Sequence, residues 1–371
     1  MTTNIPGAFS LLVIATSVAF LLSVASAQDP PDPARSHHTE RGFKNPDSEG
    51  SSGFLPFLKW RWDRLWQSMP SPQSYHFPLA QNDPAFLKSN RSVTTVTWIG
   101  HATLLVQMAG KNILTDPQFS DRASPFSWIG PKRVVPPGLR LEQLPEIDVV
   151  VISHNHYDSL DTTTLKKLFE RPGGRETRFF VPLGLKSWFE TLGIRNVIEM
   201  DWWDKQRVSG LEIVAVPVHH WSKRGLFDGS KTLWAGWVLR SENFSFFFAG
   251  DSGYTQIFKE IGRRLGPFDL AAIPIGAYEP RWFMRSHHMD PEEAVQVHRD
   301  VGAKRSVGVH WGTFILSDEP LDEPPRKLAE ARQKYGVSER DFGVLQHGQT
   351  IVLERAAAKR NLPSSSSNLI H

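Results

Sequence analysis

The sequence of 371 residues contains no cysteine. This absence excludes disulfide bridges and thiolate catalysis, and any metal site has to be built from His, Asp and Glu. It leaves the cellular compartment open, because an exported protein can fold without disulfides. The excess of basic residues is also small, with a formal net charge of +3. That charge favours an anionic lipid surface mildly and is too weak to indicate nucleic acid as a partner.

The first 27 residues contain a run without charge, Ala8–Ala27, and no Lys or Arg precedes it. The run ends in Ala25-Ser26-Ala27, a small-residue pattern typical of signal peptidase cleavage before Gln28. Its length is also close to the roughly 20 residues that span a bilayer. We expect residues 1–27 to be a cleaved signal peptide or an uncleaved membrane anchor. Either would place the protein outside the cytoplasm, in the periplasm or another extracytoplasmic compartment, in association with a membrane.

Residues 28–53 are rich in Pro, Asp, Ser and Gly, which predicts a flexible linker. Residues 54–92 form an N-terminal arm that begins with a Trp-rich amphipathic segment. Its apolar side chains recur at helical spacing at Phe54, Leu58, Trp62, Leu65 and Trp66. Lys59, Arg61 and Arg64 fall mainly elsewhere on the helical wheel. Such a helix binds a membrane surface or packs on the core of its own domain, and the pattern leaves both open.

Residues 93–355 have the pattern of one α/β domain, and the polar, Ser-rich residues 356–371 predict a disordered tail. The run Val149–Ser153 is continuously apolar, as in a strand that is buried on both faces. Helices are predicted over Thr162–Arg171 and over Pro291–Val301, the second with Asp290 as its N-cap. The predicted strands are Val93–Ile99, Thr103–Met108, Asn112–Thr115, Val149–Ser153, Leu211–Val218, Trp234–Leu239, Phe244–Phe248, Leu270–Ile275 and Ser306–Val309.

A histidine-aspartate motif directly follows the buried strand that ends at Ser153. His154, His156 and Asp158 alternate along the chain, so an extended segment would point all three side chains to one side. Two imidazoles and a carboxylate are the ligands a zinc site uses when no thiolate is present. The motif therefore predicts a metal site at the end of this strand.

Three further polar positions follow other predicted strands. His219-His220 comes after the strand through Val218, Asp251 follows an apolar Phe run, and His310 follows the strand ending at Val309. Side chains at strand ends converge on one edge of a sheet, where loops build sites. The glycines on either side of Asp251 leave room for its carboxylate to approach a metal closely. We expect these positions to join the histidine-aspartate motif.

The motifs together resemble the metallo-β-lactamase superfamily. Within it, the sequence from about Pro70 to Val352 is similar to the N-acylphosphatidylethanolamine-hydrolysing phospholipase D family. GPFDLAAIPIGAYEPRWFM, at Gly266–Met284, carries more of that likeness than the metal motif does. The other similar segments are Trp98–Thr103, His220–Arg224, Phe248–Asp251 and Asp290–Ala294. The resemblance implies an αβ/βα four-layer sandwich with a two-zinc site.

The resemblance also implies a role for each candidate residue. His154, His156 and His220 would hold the first zinc, Asp158 and His310 the second, and Asp251 would bridge them. Asp158, Asp251 and His288 are implied as catalytic residues, and Arg281, Arg285 and His288 as contacts of the substrate phosphate. The family motif continues with a histidine where this chain has Ser159, so the second zinc position is expected to lack one ligand. His101 lies near the site and either orients a ligand or is a structural histidine.

By the same resemblance, the expected reaction is hydrolysis of an N-acylated ethanolamine phospholipid by zinc-activated water. The expected partners are the phospholipid and a membrane surface, and a homodimer is possible. One alternative is a different hydrolase on this scaffold, such as a lactonase or a soluble phosphodiesterase, because one metal site supports many reactions. Another alternative is a membrane lipid-binding module whose metal site has degraded. The sequence feature that favours this alternative is Ser159.

Overall fold

In the computed structural model, the described residues are 35–46, 54–64, 66 and 72–353. The helices in this part of the chain are α1 (Phe54–Asp63), α2 (Pro84–Ser89), α3 (Thr162–Glu170), α4 (Lys186–Thr191), α5 (Ile257–Leu265), α6 (Arg281–Met284), α7 (Pro291–Asp300) and α8 (Glu323–Tyr335). Two short 3₁₀ turns lie at Pro72–Ser74 and Leu141–Gln143.

Two seven-stranded sheets make up the centre of the described chain. Their strands are β3 (Thr95–Gly100), β4 (Thr103–Met108), β5 (Lys111–Thr115), β6 (Val149–Val151), β7 (Arg178–Pro182), β8 (Val197–Met200), β9 (Lys205–Val208), β10 (Leu211–Val216), β11 (Gly236–Arg240), β12 (Ser245–Phe248), β13 (Leu270–Pro274), β14 (Ser306–Val309), β15 (Phe342–Val344) and β16 (Thr350–Val352). The first sheet has the strand order β16-β3-β4-β5-β6-β7-β8, and the second has the order β15-β14-β13-β12-β11-β10-β9. A separate pair, β1 (His38–Thr39) and β2 (Gly42–Phe43), precedes them.

Alternation along the strands divides the apolar side chains between two cores. In β6, Val149 and Val151 join the large core that also contains residues of the second sheet, such as Trp237. Val150 faces the other way and packs with Leu165 of α3. Successive strand residues point to opposite faces, so a strand covered on both sides has to be apolar throughout. This explains the unbroken apolar run in the sequence.

Helices cover the outer faces of both sheets. Leu168 of α3 and Phe189 of α4 belong to the core of the first sheet, whereas Phe258 of α5 and Val295 of α7 belong to the core that includes the second sheet. The layers run helix, sheet, sheet, helix, which confirms the four-layer αβ/βα sandwich. Parallel pairs such as β5–β6 and β13–β14 bring the carboxyl ends of their strands to one edge of each sheet. That edge carries the histidine-aspartate motif.

Several predictions from the sequence fall outside the described residues. They include the signal peptide or anchor at 1–27, residues 28–34 and 47–53 of the predicted linker at 28–53, and the tail at 356–371. Among the described residues, no helix has the length and apolar character needed to cross a membrane. The predicted strands and both predicted helices are present, with ends that differ by up to two residues. The edge strand β9 was not predicted, because its sequence, KQRV, has the polar composition of a loop.

Candidate metal centre

Three histidines from two loops form the first cluster of the site. His154 and His156 lie in the loop after β6, and His220 lies in the loop after β10. The His154 ring centroid is 4.5 Å from that of His156 and 4.5 Å from that of His220. The structure thus brings together the three residues predicted to hold the first metal.

A second cluster lies around Asp158, in the same loop. Its Oδ2 is 3.3 Å from Nε2 of His310, which follows β14. The same Oδ2 is 3.0 Å from Nε2 of His101, in the turn between β3 and β4. His310 was predicted to hold the second metal together with Asp158, and His101 was predicted either to orient a ligand or to be a structural histidine. Donor atoms of all three lie within 4.8 Å of one another.

Asp251 lies between the two clusters. Its Oδ2 is 3.1 Å from Nε2 of His310 and 3.7 Å from Nε2 of His154. A Cβ built on the preceding Gly250, whose φ is +61°, would lie only 2.6 Å from the Cβ of Ser153. Glycine therefore allows the loop after β12 to approach the metal loop closely, as the sequence indicated. This position is the one expected of a bridging carboxylate.

Burial and charge set the protonation of the site. Burial lowers the pKa of His154, His156 and His220, so these imidazoles are neutral at pH 7 and have a nitrogen lone pair for a metal. Burial also acts to lower the pKa of His310, but the charge of Asp251 and the hydrogen bonds that His310 donates to Asp158 and Asp251 raise it overall to about 10. The negative charges of Asp158 and Asp251 thus stabilise a proton on the buried His310 ring. The same negative charge would stabilise a divalent cation bound in its place.

The donor atoms fit a metal ion in their chemistry and spacing. Within the described residues, buried Nε2 of His154 and Oδ1 of Asp251 have no hydrogen-bond partner. Buried polar groups of this kind are rare unless a ligand satisfies them. His220 Nε2 and His156 Nδ1 are 3.3 Å apart, close to the roughly 3.3 Å that separates two ligands of one tetrahedral zinc. Neutral imidazoles and carboxylates suit zinc, iron or manganese.

A hydrogen-bond relay orients His154. The Ser153 hydroxyl donates to Oδ2 of Asp116 at 2.5 Å and therefore accepts from Nδ1–H of His154 at 2.8 Å. Asp116 follows β5 directly and also accepts from the backbone N–H of Ser153. Fixing the proton on Nδ1 leaves Nε2 free to bind a metal. Sequence analysis did not identify Asp116, although its place at a strand end was a usable signal.

Ser153→Ala is expected to weaken metal binding at the first position by about 10- to 100-fold, the usual effect of losing such a partner. The measurement is titration of the metal-depleted protein with zinc by calorimetry. Ser306→Ala is the matched control, because Ser306 Oγ lies 2.8 Å from Nδ1 of His298 in a pair outside the metal clusters. Equal zinc affinities in the two variants would show that the hydrogen-bond relay does not strengthen metal binding.

The predicted substrate-binding residues are placed differently from one another. His288 belongs to the site, with its ring 5.1 Å from that of His220 and 5.4 Å from that of His310. The Arg281 guanidinium instead binds Glu293 at 2.6 Å and the carbonyl of His288 at 2.9 Å. Arg285 is an exposed side chain 3.3 Å from Glu293. The structure therefore brings His288 to the metal ligands and both arginines to Glu293, and their contact with substrate stays a prediction.

Two other polar residues stabilise the metal loop. Asp161 accepts from the backbone N–H of Thr163 and of Ser120, so it caps α3 and joins the loop 118–133 to the site. Arg224 donates to the carbonyls of Asn155 and Leu160, and its guanidinium lies over the Tyr157 ring. No local sequence pattern indicated this role of Arg224, because its partners are more than sixty residues away.

Comparison with known proteins agrees with the fold and the site. A family model described as "Beta-lactamase superfamily domain" matches residues 111–311. N-acyl-phosphatidylethanolamine-hydrolyzing phospholipase D 1 of Caenorhabditis elegans is 47% identical over 245 residues, 63% of this chain and 68% of that protein. A UPF0173 metal-dependent hydrolase of Methanopyrus kandleri is 27% identical over 65% of this chain and 93% of its own length. The solved structure of Igni18, a metallo hydrolase of Ignicoccus hospitalis, has a TM-score of 0.54, 21% identity, and coverage of 71% of this chain and 99% of that one.

The sandwich and its histidine-aspartate clusters define a metal-dependent hydrolase of the metallo-β-lactamase fold. The chain belongs to the β-lactamase superfamily and, within it, to the N-acylphosphatidylethanolamine-hydrolysing phospholipase D family. The predicted fold and enzyme class are thereby confirmed.

Proposed function

We propose that this protein is a zinc-dependent phospholipase D that hydrolyses N-acylated ethanolamine phospholipids at a membrane surface. Its products are phosphatidic acid and an N-acylethanolamine. The relative from Caenorhabditis elegans is named for this activity. The observation that carries the proposal here is the position of exposed apolar side chains on segments that lead directly to the metal clusters.

Three segments carry these apolar side chains. Trp221 directly follows the metal-site residue His220, has its ring 4.7 Å from that of His156, and leads to Leu226 and Phe227, both more than 80% exposed. Phe126, Trp128 and Ile129 are exposed in the loop 118–133, which Asp161 joins to the metal loop. The third segment is α1. Exposed apolar side chains of this size suit contact with lipid.

Helix α1 uses one side to pack and another to face solvent. Trp60 is buried, donates through Nε1 to Asp318 and stacks on Phe283 of α6. Trp62 and Trp66 of the predicted apolar stripe are 62% and 77% exposed. Packing on its own domain, one of the alternatives raised by the sequence, is thus the role of Trp60, and the exposure of Trp62 and Trp66 supports the proposed contact with a membrane. Through Trp60, α1 packs on the segment that continues from α6 to His287 and His288.

The site residues support attack of water on phosphorus. A bound divalent metal lowers the pKa of a bound water from 15.7 toward about 7 and neutralises charge on the phosphoryl oxygens. Burial raises the pKa of Asp251, but the charge and hydrogen bond of His310 bring it below its usual range, so the carboxylate is ionised and can orient the attacking water. A new bond forms between the water oxygen and phosphorus, the bond to the ethanolamine oxygen breaks, and that oxygen receives a proton from the water. His288, beside Asp251, is placed to donate to the phosphate.

Trp62→Ala with Trp66→Ala is expected to weaken binding to anionic phospholipid vesicles at least about tenfold. Burying a large apolar side chain stabilises by roughly 1.5–3 kcal/mol, and 1.4 kcal/mol corresponds to tenfold. Hydrolysis of a short-chain soluble substrate should be unchanged. The measurement is vesicle co-sedimentation. The matched control is Val93→Ala with Val352→Ala, two exposed apolar residues at the end of β3 away from the site. Equal losses in both double variants would contradict a specific docking face.

A substrate panel tests the proposed reaction itself. The zinc-loaded protein is incubated with N-acylphosphatidylethanolamine, phosphatidylethanolamine, an acyl-homoserine lactone and bis(p-nitrophenyl) phosphate, and products are identified by mass spectrometry. We expect N-acylphosphatidylethanolamine to be turned over with the highest kcat/KM and to release N-acylethanolamine. A preference for the lactone, or for the soluble diester over every lipid, would overturn the proposal.

A further inference from the structure

The second metal position differs from the family pattern at Ser159, which the resemblance aligns with a histidine ligand. Ser159 is fully buried, and its hydroxyl has no hydrogen-bond partner among the described residues. A serine hydroxyl is a weak metal ligand unless it is deprotonated, so Ser159 does not supply the missing nitrogen. Asp158, Asp251 and His310 alone would leave this position one protein ligand short.

An additional imidazole lies in the same cluster. His101 is buried, and its Nε2 is 3.0 Å from Oδ2 of Asp158. Nε2 of His310 is 3.3 Å from that same oxygen, and the two rings have centroids 4.1 Å apart. Two ligands of one tetrahedral zinc are about 3.3 Å apart, since each bond is 2.0–2.1 Å long. Nε2 of His101 and Nε2 of His310 thus lie at similar distances from Oδ2 of Asp158, as expected of ligands that bind one metal ion.

The backbone holds His101 in this place. Its N–H donates to the hydroxyl of Thr313, and its carbonyl accepts from the Trp98 indole and from the N–H of His310. His101 has φ +53° and His310 has φ +62°, both in the left-handed region that side chains other than glycine rarely adopt. Strained backbone of this kind persists where surrounding contacts enforce it, and it clusters at functional sites. Two directly hydrogen-bonded, strained turns therefore present the two histidines to one carboxylate.

We propose that His101 is a ligand of the second metal ion and replaces the histidine that this chain lacks at Ser159. The second position is then held by His101, Asp158, Asp251 and His310. The inference rests on the metal centre of the proposed function. It replaces the expectation from sequence that the second position, lacking one ligand, binds its metal weakly. The unmodified protein binds two zinc ions tightly.

His101→Gln separates ligation from orientation of Asp158. The glutamine amide still donates a hydrogen bond to a carboxylate, but it lacks the imidazole nitrogen that binds zinc. We expect the variant to keep the first zinc and to bind the second at least about 100-fold more weakly, beyond the usual effect of losing an orienting partner. Ser159→Ala should keep both zinc ions. The measurement is zinc content after dialysis against a mild chelator, with calorimetric titration and X-ray absorption to count imidazoles per metal.

The double variant His101→Gln with Ser159→His keeps the inference testable if the single variant folds poorly. Recovery of the second zinc there supports the inference, because it returns a nitrogen from the position where the family has it. Failure to recover it, or a His101→Gln protein that binds the second zinc as tightly as the unmodified one, overturns the inference. Either result leaves the proposed function intact, whereas an unmodified protein that binds no zinc at all would contradict the zinc centre itself.

Discussion

His156→Ala is expected to lower hydrolysis by about a thousandfold or more and to release most of the metal at the first position. His156 is one of three histidines whose rings surround that position, and its Nδ1 lies 3.3 Å from Nε2 of His220. A catalytic metal contributes several kcal/mol to stabilisation of the transition state, and each 1.36 kcal/mol is a factor of ten in rate. The measurements are metal content by mass spectrometry and kcat/KM on N-acylphosphatidylethanolamine.

His219→Ala is the control for this variant. Although His219 is adjacent to a ligand in sequence, its ring nitrogen is 2.6 Å from the carbonyl of Ser286, and it belongs to none of the metal-binding groups. We expect this variant to keep its metal. If His156→Ala kept the metal content and rate of the unmodified protein, the assignment of the first position would be wrong.

Asp251→Asn is expected to lower hydrolysis by a similar factor, on the order of a thousandfold, because one carboxylate serves both metal positions. Its Oδ2 lies within 4 Å of Nε2 of His154, His220 and His310. An amide has no negative charge with which to balance two cations, so the metal content should fall below one ion per chain after dialysis. Metal analysis and single-turnover rates measure the two effects separately.

Asp161→Asn provides the comparison for loss of a buried carboxylate in the same region. Asp161 caps α3 through Thr163 and Thr164 and belongs to neither metal cluster. We expect this variant to keep its metal and most of its stability, because Asn caps a helix about as well as Asp. An Asp251→Asn protein that matched it in both metal content and rate would show that Asp251 does not bridge the metals.

The sequence could predict which side chains meet at the candidate site, because their positions follow local rules. His154, His156 and Asp158 alternate after an apolar strand, and His220, Asp251 and His310 follow other strands whose carboxyl ends meet at one edge. The four-layer sandwich came from the family resemblance, not from any one strand. Helical spacing predicted the apolar stripe that includes Trp62 and Trp66, but it left open whether that stripe is buried or exposed.

What the sequence could not indicate depends on contacts between distant segments. Trp60 binds Asp318 from 258 positions away, so the packing side of α1 was not visible in its own periodicity. The contact of His101 with Asp158 and the relay through Asp116 arise only when the turn after β3 and the end of β5 meet the metal loop. Tertiary packing, not local pattern, decides which buried polar residues support a site.

Hydrolysis in ¹⁸O-labelled water tests the central claim most directly, because it reports which bond of the lipid breaks. The zinc-loaded protein is given N-acylphosphatidylethanolamine in labelled water, and both products are analysed by mass spectrometry. Attack of water on phosphorus with loss of the ethanolamine oxygen predicts phosphatidic acid that carries one ¹⁸O atom and N-acylethanolamine that carries none. Diacylglycerol, free fatty acid or labelled N-acylethanolamine as the main product would contradict the account.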